Sequence, residues 1–249
     1  MSTSSNKECG MAFLDACESG DILQVWGIIA RGLLSPYSRN EGLRLAVAQG
    51  IHPDYIDIVA ALQAAGATIT HRLRDALHGD DMEQDPAVIR LLFQYGLDPN
   101  ATQSADFEPA DSQVQTGGEP LLNFLTDPAC AREFLSRGTD PNATGPRGET
   151  SLYCALTNCN VEMAKLLLEY GAMLDPNLLF TTINLRWRGP DTGTRELMTN
   201  FLLEEGVDPN QAKSEEWGTP LHLAAFRANR CLVKMLLDAG ADRTSVLTG

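Results

Sequence analysis

The residues that could do chemistry are four histidines and six cysteines, and their spacing limits what that chemistry can be. The histidines are scattered along the chain as His52, His71, His78 and His222. A zinc site combines Cys and His ligands at short, fixed spacings. The sequence has no Cys-x-x-Cys pair and no His at such a spacing from a cysteine. We therefore expect no metal site.

Motifs for covalent or phosphate chemistry are also missing. There is no Gly-x-Ser-x-Gly, no Walker loop and no Gly-x-Gly-x-x-Gly in the chain, although acyl transfer and nucleotide binding depend on such motifs. The acidic run 80–85 lacks the spaced oxygens and the glycine of a calcium loop, so we interpret it as a solvated loop between helices. We expect neither an enzyme nor a cofactor.

The charge and the composition exclude further classes of function. The 249-residue chain has a net charge of −14, which repels phosphate backbones and argues against nucleic acid as a partner. No stretch approaches the roughly 18 apolar residues that span a bilayer, and the first residues lack the apolar segment of a secretory signal. We predict a cytoplasmic or nuclear protein, because reduced thiols suit those compartments. The six cysteines are Cys9, Cys17, Cys130, Cys154, Cys159 and Cys231.

One pattern recurs along the chain: an apolar stretch closed by a glycine and often followed by Asp-Pro-Asn. Apolar residues four positions before each glycine, and eight before most of them, form one stripe on a short helix that the glycine ends. A second helical pattern, rich in small residues, lies upstream. A fixed period of this kind predicts a repeat protein. The aligned glycines are Gly32, Gly66, Gly96, Gly138, Gly171, Gly206 and Gly240.

The seventh unit carries the full signature of a known family. Its residues Trp217-Gly218-Thr219-Pro220-Leu221-His222-Leu223-Ala224-Ala225, followed by Leu236-Leu237-Asp238-Ala239-Gly240, resemble the ankyrin repeat. In this motif Thr219, Pro220 and Leu221 open the first helix, and His222 bonds back to stabilise the turn. The resemblance implies an all-α ankyrin-repeat solenoid of about seven helix-turn-helix units with short hairpin fingers.

We predict an N-terminal tail over 1–10 and a single array over 11–249. An insertion over 101–117 interrupts the array, and a long connection from Asn184 to Thr194 holds Arg186-Trp187-Arg188. The predicted units are about 11–36, 37–69, 70–102, 117–144, 145–176, 177–210 and 211–244.

The resemblance implies a scaffold or adaptor that mediates protein–protein interaction, because ankyrin arrays bind other proteins in a concave groove. The acidic chain predicts a partner with a basic or mixed surface patch. An alternative stays open, a small-molecule-binding protein or atypical enzyme that uses the groove as a pocket, because irregular units often mark a grafted function. Groove, finger and insertion positions give the candidate binding residues Gln49, His78, Phe107, Arg147, Thr157, Asn158, Trp217, Phe226 and Arg227.

Overall fold

Short helices make up most of the part of the chain that the structure, a computed structural model, describes. Clustering of contacts divides the chain into two compact units, Met1–Gly148 and Glu149–Gly249, and each is described by itself. The single array over 11–249, with its repeat boundaries, stays a prediction. The described residues are 2–49, 53–68, 84–94, 96–100, 102–103, 118–184, 193–211 and 218–244.

The first compact unit holds six α-helices among its described residues. Helices α1 and α3 pack together, α4 packs on both α2 and α3, and α5 lies between α4 and α6. Strands β1 (Thr102–Gln103) and β2 (Glu119–Pro120) pair antiparallel. Strand β1 lies within the predicted insertion over 101–117, whose residues 101 and 104–117 are outside the described part. The helices are α1 Ser2–Ser19, α2 Ile22–Ala30, α3 Pro36–Ala48, α4 Pro53–Ala64, α5 Pro86–Gln94 and α6 Pro128–Leu135.

Residues 2–10, which belong to the predicted N-terminal tail over 1–10, are the first part of α1. Residues 2–19 contain no proline and one glycine, Gly10. A glycine inside a helix costs about 1 kcal/mol relative to alanine. Packing against α3 offsets that cost, since Phe13, Ala16 and Cys17 are buried.

The described residues of the second compact unit form three helix pairs. The first helices of the pairs stack in order, α7 on α9 and α9 on α11, and each packs against its own second helix. The last pair closes a core that contains Leu223, Leu232 and Leu236. The helices are α7 Ser151–Thr157, α8 Val161–Glu169, α9 Leu178–Asn184, α10 Thr194–Glu204, α11 Pro220–Phe226 and α12 Arg230–Asp238.

All seven aligned glycines adopt the left-handed conformation, with φ between 67° and 91°. A positive φ strains residues that have a β-carbon, whereas glycine adopts it without strain. After six of these glycines, Gly66 onward, the following N–H group donates to the carbonyl five residues back, as from Val207 to Leu202 at 3.0 Å and from Ala241 to Leu236 at 2.9 Å. This is the Schellman ending of a helix, and it confirms the predicted role of the glycines.

The Asp-Pro-Asn segments form turns that also tie neighbouring repeats together. In each copy the Asp carboxylate accepts a hydrogen bond from the Asn N–H group, for example Asp208 from Asn210 at 2.8 Å. The Asn210 amide then reaches the next repeat, where it accepts from the Asp242 N–H group at 2.8 Å and donates to the Gly240 carbonyl at 2.9 Å. The turn residues therefore set the spacing between repeats.

The fourth repeat begins with a 3-10 helix, Leu121–Phe124, in place of the expected α-helix. The Gln84 side chain supports the turn that follows it: its Nε2 donates to the Phe124 carbonyl at 3.1 Å. Its Oε1 accepts from the N–H groups of Thr126 and Asp127 at 2.9 and 3.1 Å. Gln84 is half-buried and lies outside any helix, so this residue of the predicted loop over 80–85 also has a structural role. Residues 80–83 lie outside the described part.

Two helical glycines in the first compact unit give a matched test of the packing between α1 and α3. A β-carbon on Gly42 would lie 2.7 Å from Phe13 Cε1 and 3.0 Å from Cys17 Sγ, whereas one on Gly27 meets nothing within 4 Å. We expect Gly42→Ala to lower the free energy of unfolding by about 1–3 kcal/mol through overpacking. Gly27→Ala should raise it by up to about 1 kcal/mol. Urea denaturation measures both, and equal stability of the two variants would contradict the described packing.

Candidate functional site

The C-terminal ends of the stacked helices α7, α9 and α11 place polar and aromatic residues side by side in the second compact unit. We call Thr157, Asn158, Asn184, Phe226 and Arg227 the inner row. Each of these three helices is seven residues long. Buried residues within each helix pack in the core, and the exposed side chains lie at the C-terminal ends. Four of the inner-row residues are exposed, and Thr157 is half-buried.

Phe226 and Arg227 form the most prominent part of the inner row. The Phe226 side chain is 69% exposed, which is unusual for a large aromatic residue. The Arg227 guanidinium donates through Nη2 to Asn184 Oδ1 on the neighbouring helix α9. Since this hydrogen bond uses one of five N–H donors, the cation is oriented and still has donors for a ligand.

Thr157 and Asn158, two of the candidate binding residues, lie at the end of α7. The Thr157 hydroxyl donates to the Cys154 carbonyl at 3.0 Å, which occupies its donor within its own helix. The Asn158 N–H group also donates to the Cys154 carbonyl at 3.0 Å, and its side chain is exposed. Asn158 is therefore the more available of the two for an external contact.

The remaining predicted residues do not join the inner row within the described structure. Gln49 and Arg147 are exposed and belong to the first compact unit, at the end of α3 and in the turn before Gly148. His78, Phe107 and Trp217 lie outside the described residues. Sequence reasoning missed Asn184, because the assignment skipped the irregular sixth repeat and no motif marks this residue.

The Thr-Pro-Leu-His motif caps α11, as its pattern predicts. Thr219 is the N-cap residue, and His222 Nδ1 accepts from the Thr219 N–H group at 3.2 Å and lies 2.8 Å from the Thr219 hydroxyl. Pro220 occupies the first turn, where a missing N–H group costs nothing. This reciprocal arrangement is a capping box with histidine in the place usually taken by Glu or Gln.

The cap predicts a graded response at His222. Replacement by Ala removes the acceptor for the Thr219 N–H group and should cost about 1 kcal/mol of unfolding free energy. Replacement by Gln keeps a suitable acceptor and should cost less than half as much. Thermal and urea denaturation monitored by circular dichroism give both values. If His222→Gln is as unstable as His222→Ala, then His222 does not stabilise the protein through the cap.

Two of the cysteines are inert because they are buried in the core. Burial raises the pKa of the Cys17 thiol to about 12. The pKa of Cys130 is also raised to about 12, chiefly by burial and further by nearby carboxylates, Asp127 first. The thiolate is the nucleophilic form, so neither residue can act as a nucleophile at neutral pH. Cys231, in contrast, is exposed on α12.

The difference in burial predicts the order in which the thiols react. At pH 8 a thiol with a pKa near 12 is ionised in only about one molecule in ten thousand. Iodoacetamide should therefore label Cys231 quickly and leave Cys17 and Cys130 unlabelled until urea unfolds the chain. Peptide mass spectrometry measures the labelled fraction at each residue. Rapid labelling of Cys17 or Cys130 in the folded protein would contradict their burial.

Two further findings concern the described residues alone. No group of three or more His, Cys, Asp or Glu residues there is placed to hold a metal ion. None of the helices in that part of the chain is both long enough and apolar enough to cross a bilayer.

Comparison with known families identifies the repeats. The family described as "Ankyrin repeats (many copies)" matches residues 126–168, and the family "Ankyrin repeat" matches residues 218–246. The matched regions contain two of the glycine-terminated helices, α6 and α12, and the Thr219–His222 cap described above. These two regions are therefore ankyrin repeats, and the chain has the all-α ankyrin-repeat fold.

Known proteins agree with this assignment. Human ankyrin repeat and SOCS box protein 6 is 28% identical over 195 residues, which covers 70% of this chain and 45% of that protein. The chain thus spans less than half of that relative. The human ASB11 ankyrin repeat domain shares the fold with a TM-score of 0.59 at 18% identity, over 92% of this chain and 98% of that one. The ankyrin repeat domain of Bcl-3, a member of the IkappaB family, has a TM-score of 0.56 at 25% identity, over 80% and 86% of the two chains.

Proposed function

We propose that this chain is a scaffold or adaptor that binds another protein, and that the inner row is part of its binding surface. The observation that carries the proposal is the pair at the end of α11, an exposed Phe226 beside an Arg227 fixed by Asn184. Aromatic residues and arginine are enriched among the residues that dominate binding energy at interfaces. The small-molecule alternative needs a closed pocket at these helix ends, whereas four of the five inner-row side chains are exposed.

The geometry of Arg227 supports this role because it lowers the cost of binding. A free arginine side chain loses up to about 1.5 kcal/mol of rotamer freedom when a partner immobilises it. The hydrogen bond to Asn184 already restricts the Arg227 side chain in the unbound protein, so a partner removes less rotamer freedom when it binds. The remaining N–H donors are suited to a carboxylate or to backbone carbonyl groups.

The chemistry of the partner follows from both the local and the overall charge. A chain with a net charge of −14 attracts basic surfaces over long distances. On the partner, an acceptor group would complement Arg227 and an apolar group would complement Phe226. A mixed patch, mainly basic with an apolar centre and one acceptor group, satisfies all three requirements. We place the encounter in the cytoplasm or nucleus, a location supported by six cysteines that are all free thiols.

The test compares partner recovery between two double variants of the full chain. Phe226→Ala with Arg227→Ala removes the proposed contact, whereas Glu162→Ala with Lys165→Ala changes two exposed residues of α8 outside the inner row. Loss of two hot-spot side chains costs at least 2 kcal/mol. We therefore expect the first variant to recover at least tenfold less of the specific partners in quantitative affinity purification.

The control variant should recover those partners within twofold of the wild type. Circular dichroism must show the same helix content for all three proteins, since Phe226 and Arg227 contribute little to the core. Equal recovery by both double variants would overturn the assignment of the inner row. Recovery of no partner above background by the wild type would overturn the scaffold function itself.

A further inference from the structure

One position in the repeat is buried in every unit except the last. Seven residues before its closing glycine, each of the first six units has a side chain that is no more than 1% exposed. The seventh member of this set, Val233 on α12, is only half-buried. Within the part of the chain that the structure describes, the face of α12 that contains Val233 is therefore less covered than the faces of its counterparts. The six buried counterparts are Val25, Val59, Ile89, Ala131, Ala164 and Thr199.

A cavity of about 510 Å³ lies on this face. The apolar part of its lining, which we call the floor, includes Ala228, Val233 and Leu237, and the cationic residues Arg230, Lys234 and Arg243 line the cavity as well. We call these six residues the end-face pocket. It is distinct from the inner row, with which it shares no residue.

The charge of the end-face pocket is opposite to that of the chain as a whole. Three cations line it and one carboxylate, Asp238, does so too, within a protein whose net charge is −14. Among the described residues, neither Arg230, Lys234 nor Arg243 forms an ion pair. Unpaired cations around an apolar floor are complementary to a surface with carboxylates beside apolar side chains.

The spacing of the pocket residues indicates the shape of the complementary surface. Arg230, Val233, Lys234 and Leu237 stand at i, i+3, i+4 and i+7, which places them along one face of α12. A second helix laid along such a face presents its own side chains at the same intervals. A helical partner can thus contact Val233 and Leu237 with one apolar stripe while its flanking carboxylates reach Arg230 and Lys234.

We propose that the end-face pocket binds an amphipathic helix of another protein, with acidic residues on both sides of an apolar stripe. This interaction is independent of the inner row, so the full chain can hold two partners. Its affinity falls as salt concentration rises, because exposed charges provide part of the attraction. The apolar floor supplies the part that salt does not weaken.

Fluorescence anisotropy with two designed peptides tests the proposal on the full chain. The first is an 18-residue helical peptide with leucines at i, i+3 and i+7 and glutamates on both flanks. The second is identical except that lysines replace the glutamates. We expect saturable binding of the acidic peptide and at least tenfold weaker binding of the basic one. Equal affinity for the two peptides, or no saturable binding of the acidic peptide, would overturn the proposal.

Charge-reversal variants locate the binding site. Arg230→Glu with Lys234→Glu should weaken binding of the acidic peptide at least tenfold. Lys165→Glu is the matched control, because Lys165 is exposed on α8 at the position that Lys234 occupies on α12, six residues before the glycine. We expect this control to bind within twofold of the wild type, and an equal loss in the control would overturn the site.

Two further measurements separate this proposal from its competitors. The inner-row variant Phe226→Ala with Arg227→Ala should bind the acidic peptide like the wild type, even if it loses its own partners. Light scattering over a range of concentrations shows whether a second copy of the chain occupies the pocket. A dimer that the Arg230→Glu, Lys234→Glu variant abolishes would overturn the acidic helix as occupant, whereas a monomeric wild type supports it.

Discussion

The reversal of the backbone at a left-handed glycine is the constraint on which each repeat depends. At a φ between 67° and 91° the chain leaves its second helix and enters the turn, and the next N–H group satisfies a carbonyl that would otherwise be orphaned. The turn then places an aspartate and an asparagine where the asparagine amide can reach the following repeat, as Asn210 reaches Asp242. Helix ending, turn and repeat spacing thus follow from one conformational requirement.

Packing between repeats, and not the helices themselves, provides the stability that this architecture needs. Helices of seven residues, such as α7 and α11, are too short to persist alone in water. Leu223 and Ala224 anchor α11 in the core, while Phe226 at its end is exposed. The same short helix therefore separates residues that maintain the fold from residues that are free to recognise a ligand.

Local rules explain what the sequence could predict. The glycines, the turns and the Thr219–His222 cap each depend on residues within five positions of one another, so single-sequence patterns reveal them. The pairing of Arg227 with Asn184 joins residues 43 apart, and no local pattern encodes it. The helical start of α1 is not predicted for a different reason: residues 2–8 are all polar, so no apolar stripe marks a helix there.

The Gln84 side chain has a consequence for how the first compact unit opens. It holds the amide protons of Thr126 and Asp127, residues 42 and 43 positions further along the chain. Those protons can exchange with solvent when either the turn before α6 or the segment before α5 loosens. Hydrogen exchange at Thr126 and Asp127 therefore reports motion in two distant stretches at once. One neutral amide thus couples the segment before α5 to the turn before α6, although the insertion separates them in sequence.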